Sequence, residues 1–305
     1  MKKRRILFLL LLVIKFKVIA FSIDKGENFY TEFSPLSIVR MQQEQDTVFQ
    51  SKYLNIKRLI NNKELNKALE LSLSLLNESK KITNKNAEFL STYLIGDIFM
   101  SLNNHKKALE YLNKSLELLL NNDDFFFSYN IKINEKKLTK KSALINSYFK
   151  LGTGYLLLNN IDSAKYFLNK TIEVKSLNND LNNIKAAAYN NLSGIYINDT
   201  LYVKAREFAY KSLEIKRKNN NKLAEASTLG NIASIYVLEE KYTEAKELYR
   251  NALDLIDKDK STTAFKYKRD LYYNLAWALY NLKDYKAYDY QEKSYIIKDS
   301  LRDVE

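Results

Sequence analysis

The sequence predicts an all-α fold, an α-solenoid of about six stacked helix-turn-helix repeats. Three observations predict it. First, the 305 residues contain one proline, Pro35, and six glycines, which leaves little material for β-hairpins or glycine-rich phosphate loops. Second, Leu, Lys, Asn, Ala, Glu and Tyr fill long stretches at helical spacing. Third, one spaced motif recurs along the chain, which marks a repeat architecture.

The motif is a large residue followed by a small one, an aromatic or large apolar residue three further on, and an alanine nine after that. Ile95-Gly96 leads in this way to Phe99 and Ala108, and Leu151-Gly152 to Tyr155 and Ala164. Leu192-Ser193 leads to Tyr196 and Ala205, and Ile232-Ala233 to Tyr236 and Ala245. A weaker first copy has Leu59 and Ala68; a degenerate last copy has Leu275-Ala276 and Leu279, but Tyr288 where the alanine is expected. The spacing places the first three groups on one helical face. The small residue lets a second helix approach, the aromatic fills the space beside it, and the alanine sits at the close contact, where a larger side chain would overpack. Short polar turns such as LNNHKK, LNNIDS and LEEKYTE separate the helices.

The motif resembles the tetratricopeptide repeat, over about residues 51–298 in six copies. That resemblance implies stacking into a right-handed superhelix whose concave groove is lined by the first helix of each pair. The family's usual period is about 34 residues. Here the aromatic-equivalent positions are 59, 99, 155, 196, 236 and 279, so the repeat is of a long type, similar to arrays in bacterial regulators and kinesin light chains. The longest step holds an insertion near 121–144, read as a loop or extended helices. Its Phe125-Phe126-Phe127 is either a plug packed on neighbouring helices or an exposed docking patch. Residues 23–50 read as a lead segment and first helix, starting after Pro35. The ending YQEKSYIIKDSLRDVE reads as a polar capping helix with residues 299–305 as a tail. This ending also resembles the close of tetratricopeptide arrays in bacterial sensor histidine kinases and regulators.

On the first helix of each pair, the residue before the large one and those three and seven beyond it form a stripe beside the core face. The stripe reads Lys150, Thr153, Leu157; then Asn191, Gly194, Asn198; then Asn231, Ser234, Leu238; then Asn274, Trp277, Asn281. By resemblance this stripe lies on the partner-binding groove, with Asn191, Asn231, Asn274, Lys150, Asn198 and Trp277 as its candidate contacts. A side-chain amide both donates and accepts, so a ladder of them can hold a peptide backbone without reading its sequence. The other reading has each asparagine bonded to a neighbouring helix. Trp277 can be a wedge in the core or a platform for a ligand. Individual asparagines and lysines carry little weight as signals, because their abundance follows composition.

The start MKKRRILFLLLLVIKFKVIAFS has a basic end, an apolar run from Ile6 to Ile14 and small residues before Ile23. It reads as an export signal over residues 1–22, which places the protein in the periplasm, or at the membrane if uncleaved. With no cysteine there is no lipid-anchored N-terminal Cys, disulfide or thiol chemistry. The net charge of +13 is partly this leader; beyond it 43 basic residues stand against 36 acidic, interspersed as on a solvated surface rather than a nucleic-acid groove. The one histidine, His105, sits in a turn and no metal-ligand or triad spacing surrounds it. The sequence therefore implies a non-enzymatic scaffold, without cofactor or metal, that binds a protein or peptide. The alternative it carries is the extracytoplasmic sensory module of a truncated or split bacterial regulator.

Overall fold

The computed structural model describes residues 35–121, 132–133, 136–137, 139–175 and 179–302. The leader, the start of the lead segment and the three consecutive phenylalanines lie outside these residues. Among the described residues, six helical hairpins follow one another. The first helix of each, called A, is α1 (Pro35–Asn61), α3 (Lys85–Ser101), α5 (Lys140–Leu157), α7 (Asn179–Asn198), α9 (Lys222–Leu238) and α11 (Thr262–Asn281). The second, called B, is α2 (Leu65–Lys81), α4 (His105–Leu120), α6 (Ile161–Glu173), α8 (Tyr202–Lys218), α10 (Tyr242–Ile256) and α12 (Ala287–Arg302). In the insertion, β1 (Lys132–Ile133) and β2 (Lys136–Lys137) pair antiparallel, Lys132 with Lys137 and Ile133 with Lys136. Helix α12 continues to Arg302, into the segment read as a tail.

Each A helix packs on its own B helix, and each B helix on the next A helix. Successive A helices also touch, least between α7 and α9, whereas successive B helices do not to a comparable extent, so the A helices form the inner layer. The motif explains this packing. Ala108, Ala164, Ala205 and Ala245 have no exposed surface, and neither do Ile95, Leu151, Leu192, Ile232 and Leu275. A methyl group added at Gly96 would stand 2.7 Å from Leu112 Cγ, and at Gly152 2.8 Å from Leu168 Cγ. The core forms three clusters: Phe49 to Ala143 in the first repeats, Leu109, Leu112, Leu116 and Leu151 between them, and Ala164 to Ala287 in the last four.

The turns repeat as faithfully as the core. In every hairpin, the residue four past the aromatic position has a left-handed backbone: Lys63, Asn103, Asn159, Thr200, Glu240 and Lys283. The next backbone N–H donates to the carbonyl of the aromatic position, as from Asn104 to Phe99 at 2.9 Å and from Lys241 to Tyr236 at 2.8 Å, the closure of a Schellman motif. Asparagine pairs divide this work. Asn103, Asn159 and Asn220 take the left-handed position, while the side chains of Asn104, Asn160 and Asn221 accept from the N–H groups of Lys107, Ser163 and Ala224 as helix caps. The turn asparagines are thus not mere products of composition.

The last repeat corrects the sequence reading in two respects. Its signature alanine is Ala287, buried, while Tyr288 points out. The turn is one residue shorter: α12 starts at the alanine itself, whereas α4, α6, α8 and α10 start three residues before theirs. A recurring bond fixes the register. Ser212, seven past Ala205, donates to the Ala186 carbonyl at 2.9 Å, and Ser294, seven past Ala287, donates to the Arg269 carbonyl at 2.9 Å. Secondly, the final helix exposes Tyr288, Tyr295 and Ile296 among its charged side chains, apolar groups that the reading as a polar cap does not include.

Candidate binding groove

Lying on the inner layer, the A-helix stripe is where the repeat brings most of the candidate residues together. At its N-terminal end is an ion chain that crosses three helices. Asp97 on α3 is buried, pairs with Lys150 on α5, and lies 3.5 Å from Lys57 on α1. Burial alone would raise the Asp97 carboxyl, but the two ammonium groups override this and hold it below the usual carboxylate value. Buried Tyr53 and half-buried Tyr93 stand close enough to feel that charge, and their phenols are raised, by burial first and then by Asp97. Lys150 is therefore engaged within the fold. Asp97 holds the stripe position of Thr153, Gly194, Ser234 and Trp277 in its own repeat, a match visible only when the stripe is extended upstream.

From Thr153 onward the stripe, carried by four helices, bears no charge: Thr153, Leu157, Asn191, Gly194, Asn198, Asn231, Ser234, Leu238, Asn274, Trp277 and Asn281. The asparagines differ from one another. Asn191 is half-buried and its Nδ2 lies 3.4 Å from Thr153 Oγ1 on the preceding A helix, a long bond of the structural kind. Asn231 and Asn198 are exposed, and Asn274 is half-buried. Asn281 donates to the Trp277 carbonyl at 2.8 Å. Ser234 spans its own hairpin, bonding the Gly230 carbonyl and, at 2.9 Å, the hydroxyl of Tyr249. Gly194 leaves its place open, since an added methyl would meet nothing within 4 Å.

Trp277 is not a core wedge. It is 53% exposed and stacks on Tyr280, ring centroids 6.1 Å apart. Tyr273, one turn earlier on α11, is exposed as well, so one end of the stripe carries three aromatic rings at helical spacing. The sequence reading missed Tyr273 and Tyr280 because they fall just beside the three positions it followed. The exposed Leu157 and Leu238 add apolar contact along the same face.

The signature aromatics stack within their own hairpins and meet a basic residue of the preceding one. Tyr155 stacks on Phe167 at 5.5 Å, and Tyr196 on Phe208 at 5.2 Å. Lys165, next to Ala164, reaches across to Asp199 at 2.8 Å and lies over the Tyr196 ring; Arg206, next to Ala205, does the same with Glu239 and Tyr236. Phe99 stacks on Tyr111, and Ala233 is fully buried. His105 is the first residue of α4, behind its cap. Among the described residues no group of three or more acidic or histidine side chains could hold a metal ion, and no helix is long and apolar enough to cross a membrane.

Family models described as tetratricopeptide repeats match residues 91–119 and 185–258. No curated protein matches the chain significantly in sequence. Among solved structures, BtubC (BKLC) from P. vanneervenii is similar with a TM-score of 0.61 and 15% identity, over 78% of this chain and 92% of that one. RapI in its apo form gives a TM-score of 0.59 at 18% identity, over 71% and 72%. NprR in complex with its cognate peptide NprX gives 0.50 at 18% identity, over 85% and 72%. At such identities the likeness is one of fold, and it agrees with the helix pairing and the motif in every hairpin. Residues 91–119 and 185–258 are thus tetratricopeptide repeats, set in a solenoid of the same fold.

Proposed function

We propose that the protein is a non-catalytic scaffold that binds a peptide or protein segment along the uncharged face of its A helices. The observation that carries this reading is the stripe from Thr153 to Asn281: amides, two exposed leucines, an open floor at Gly194 and an aromatic end at Trp277. More than a quarter of the chain's residues are charged, yet none of these stripe positions is. Amides satisfy a peptide backbone, and apolar and aromatic groups supply contact area for its side chains. The related fold of NprR, whose structure holds its cognate peptide NprX, supports a peptide as the occupant.

Selection of a random peptide phage library against the full chain tests the reading. Selected peptides should bind the parent protein and lose at least tenfold in affinity when Leu238→Lys and Trp277→Ala are introduced together. Both residues are exposed, so the melting temperature should stay nearly constant. Replacing Asn231 and Asn274 by Ala should weaken binding further, whereas Asn191→Ala should act partly through stability, because of its bond to Thr153. Peptides that bind the double variant as well as the parent would refute the assignment of this face.

A further inference from the structure

Along the inner layer, the residue five before the aromatic position meets the residue two before the aromatic of the preceding A helix. Lys150 on α5 pairs in this way with Asp97 on α3, and Asn191 on α7 lies 3.4 Å from Thr153 on α5. In both joints the protein supplies the polar partner from its own side chains. Between α7 and α9 the pair is Gly194 and Asn231, and the glycine has no side chain to offer. An added methyl at Gly194 would meet nothing within 4 Å, and Asn231 is exposed with no hydrogen-bond partner among the described residues. This is also the joint at which successive A helices touch least. In the following joint Ser234 holds the place, engaged with its own hairpin.

A second observation falls at the same joint. The residue six before the aromatic position faces the next A helix: an added methyl at Gly230 on α9 would stand 2.8 Å from Leu271 Cδ2 on α11. In α7 that position is Asn190, which the repeat therefore turns towards α9. Its side-chain oxygen is buried without a donor. A buried acceptor left unpaired is unfavourable, and a donor brought between the two helices relieves it. The joint thus has an open floor at Gly194, a free amide on the α9 side and an unpaired acceptor on the α7 side.

We propose that this gap receives a neutral side chain of the bound peptide that both donates and accepts a hydrogen bond, a carboxamide or a hydroxyl. The inference rests on the groove reading above and names one subsite within it. Such a side chain accepts from the Asn231 amide and donates to Asn190, so it does for this joint what Thr153 does for the preceding one. An aliphatic side chain would leave both amides unpaired. An ammonium or carboxylate would leave water for a place whose stripe positions carry no counter-charge, which is unfavourable. Gly194, lacking a Cβ, lets the peptide backbone approach closely enough for a short side chain to reach in.

Peptides selected on the full chain from the random library are the probe. One position of the selected sequences should be enriched in Asn, Gln, Ser or Thr. A labelled peptide of that sequence, and a version with Ala at that position, are titrated by fluorescence anisotropy against the parent protein and Gly194→Thr. The substitution gives α7 the hydroxyl that Thr153 gives α5, and the melting temperature should not fall. The polar peptide should lose about tenfold in affinity on Gly194→Thr, whereas the Ala peptide should bind both proteins equally. Asn231→Ala, at an exposed position, should show the same coupling. Equal losses for the two peptides on both variants, or a selected pool with no polar preference at any position, overturn the proposal. If those peptides still weaken when Leu238→Lys and Trp277→Ala are combined, the groove reading survives that failure; if they do not, or if no peptide is selected, both fall.

Discussion

The glycines on the A helices invite the same substitution with opposite outcomes. At Gly152 an added methyl would lie 2.8 and 2.9 Å from Leu168 Cγ and Cδ2 and 3.1 Å from the Leu168 backbone nitrogen. The side chain can shift, but the backbone of α6 can move only by opening the hairpin. Overpacking of this kind costs about 1–3 kcal/mol, against which the better helix propensity of Ala returns about 1 kcal/mol. At Gly194 nothing lies within 4 Å, so the propensity gain of about 1 kcal/mol stands alone. We therefore expect Gly152→Ala to lower stability by up to about 2 kcal/mol and Gly194→Ala to raise it by about 1 kcal/mol. Chemical denaturation followed by circular dichroism measures both, and the unfolding slope shows whether the two proteins lose the same surface. A Gly152→Ala protein as stable as Gly194→Ala would refute the claim that the hairpins are held by contact at the small position. Gly194→Trp carries the argument into function, since it should fill the groove floor and reduce peptide binding without unfolding the chain.

Further outcomes can be checked in the same way. Thr200 is a β-branched residue in the left-handed region, with φ of 58°, so Thr200→Gly should add about 1 kcal/mol, read as a rise of about 2–4 °C in Tm. Asp97→Asn removes the counter-ion of Lys57 and Lys150, which are about one-third exposed, and should cost about 1–2 kcal/mol at pH 7. Because the folded Asp97 carboxyl titrates below its ordinary value of 3.8, its contribution is present above that pH and fades as pH falls further. The gap between parent and variant in urea midpoint should therefore narrow on acidification below about pH 4. The basic and apolar leader predicts export with cleavage after Ser22; N-terminal sequencing of the exported chain should begin at Ile23, and a sequence beginning at Met1 would refute cleavage.

The repeat was legible because close helix packing demands small residues at fixed intervals, and Gly96, Gly152, Ala108 and Ala245 state that demand directly. Position along the chain was less legible. A turn shortened by one residue moved the last alanine to Ala287, a shift that its burial and the bond from Ser294 to Arg269 reveal. The left-handed turn residues escaped notice because Lys, Thr and Glu give no sign of positive φ, as Gly would. At the groove, the stripe followed from helical spacing alone, but the fate of each side chain did not. Lys150 is captured by an aspartate 53 residues earlier, a pairing set by the stacking of repeats rather than by local sequence. Trp277 looked like core material because large aromatics often are. Its exposure follows from its place on the inner face, where no helix crosses it.

The partition of the core into separate clusters has a mechanical consequence. The last four repeats share one continuous set of buried side chains, and the charged pairs of Lys165 with Asp199 and Arg206 with Glu239 tie neighbouring hairpins together there. Between α4 and α5, where the insertion lies, the joint is made by a separate group of leucines against Leu151 and Gly154, with Leu119, Ala143 and the ion chain through Asp97 alongside. Under tension applied at its two ends, the molecule is expected to part first at that boundary between buried clusters. It should then extend in two steps in an optical trap. A ligand lying along the A helices from Lys150 to Trp277 would grip only the last four repeats and leave that boundary unspanned.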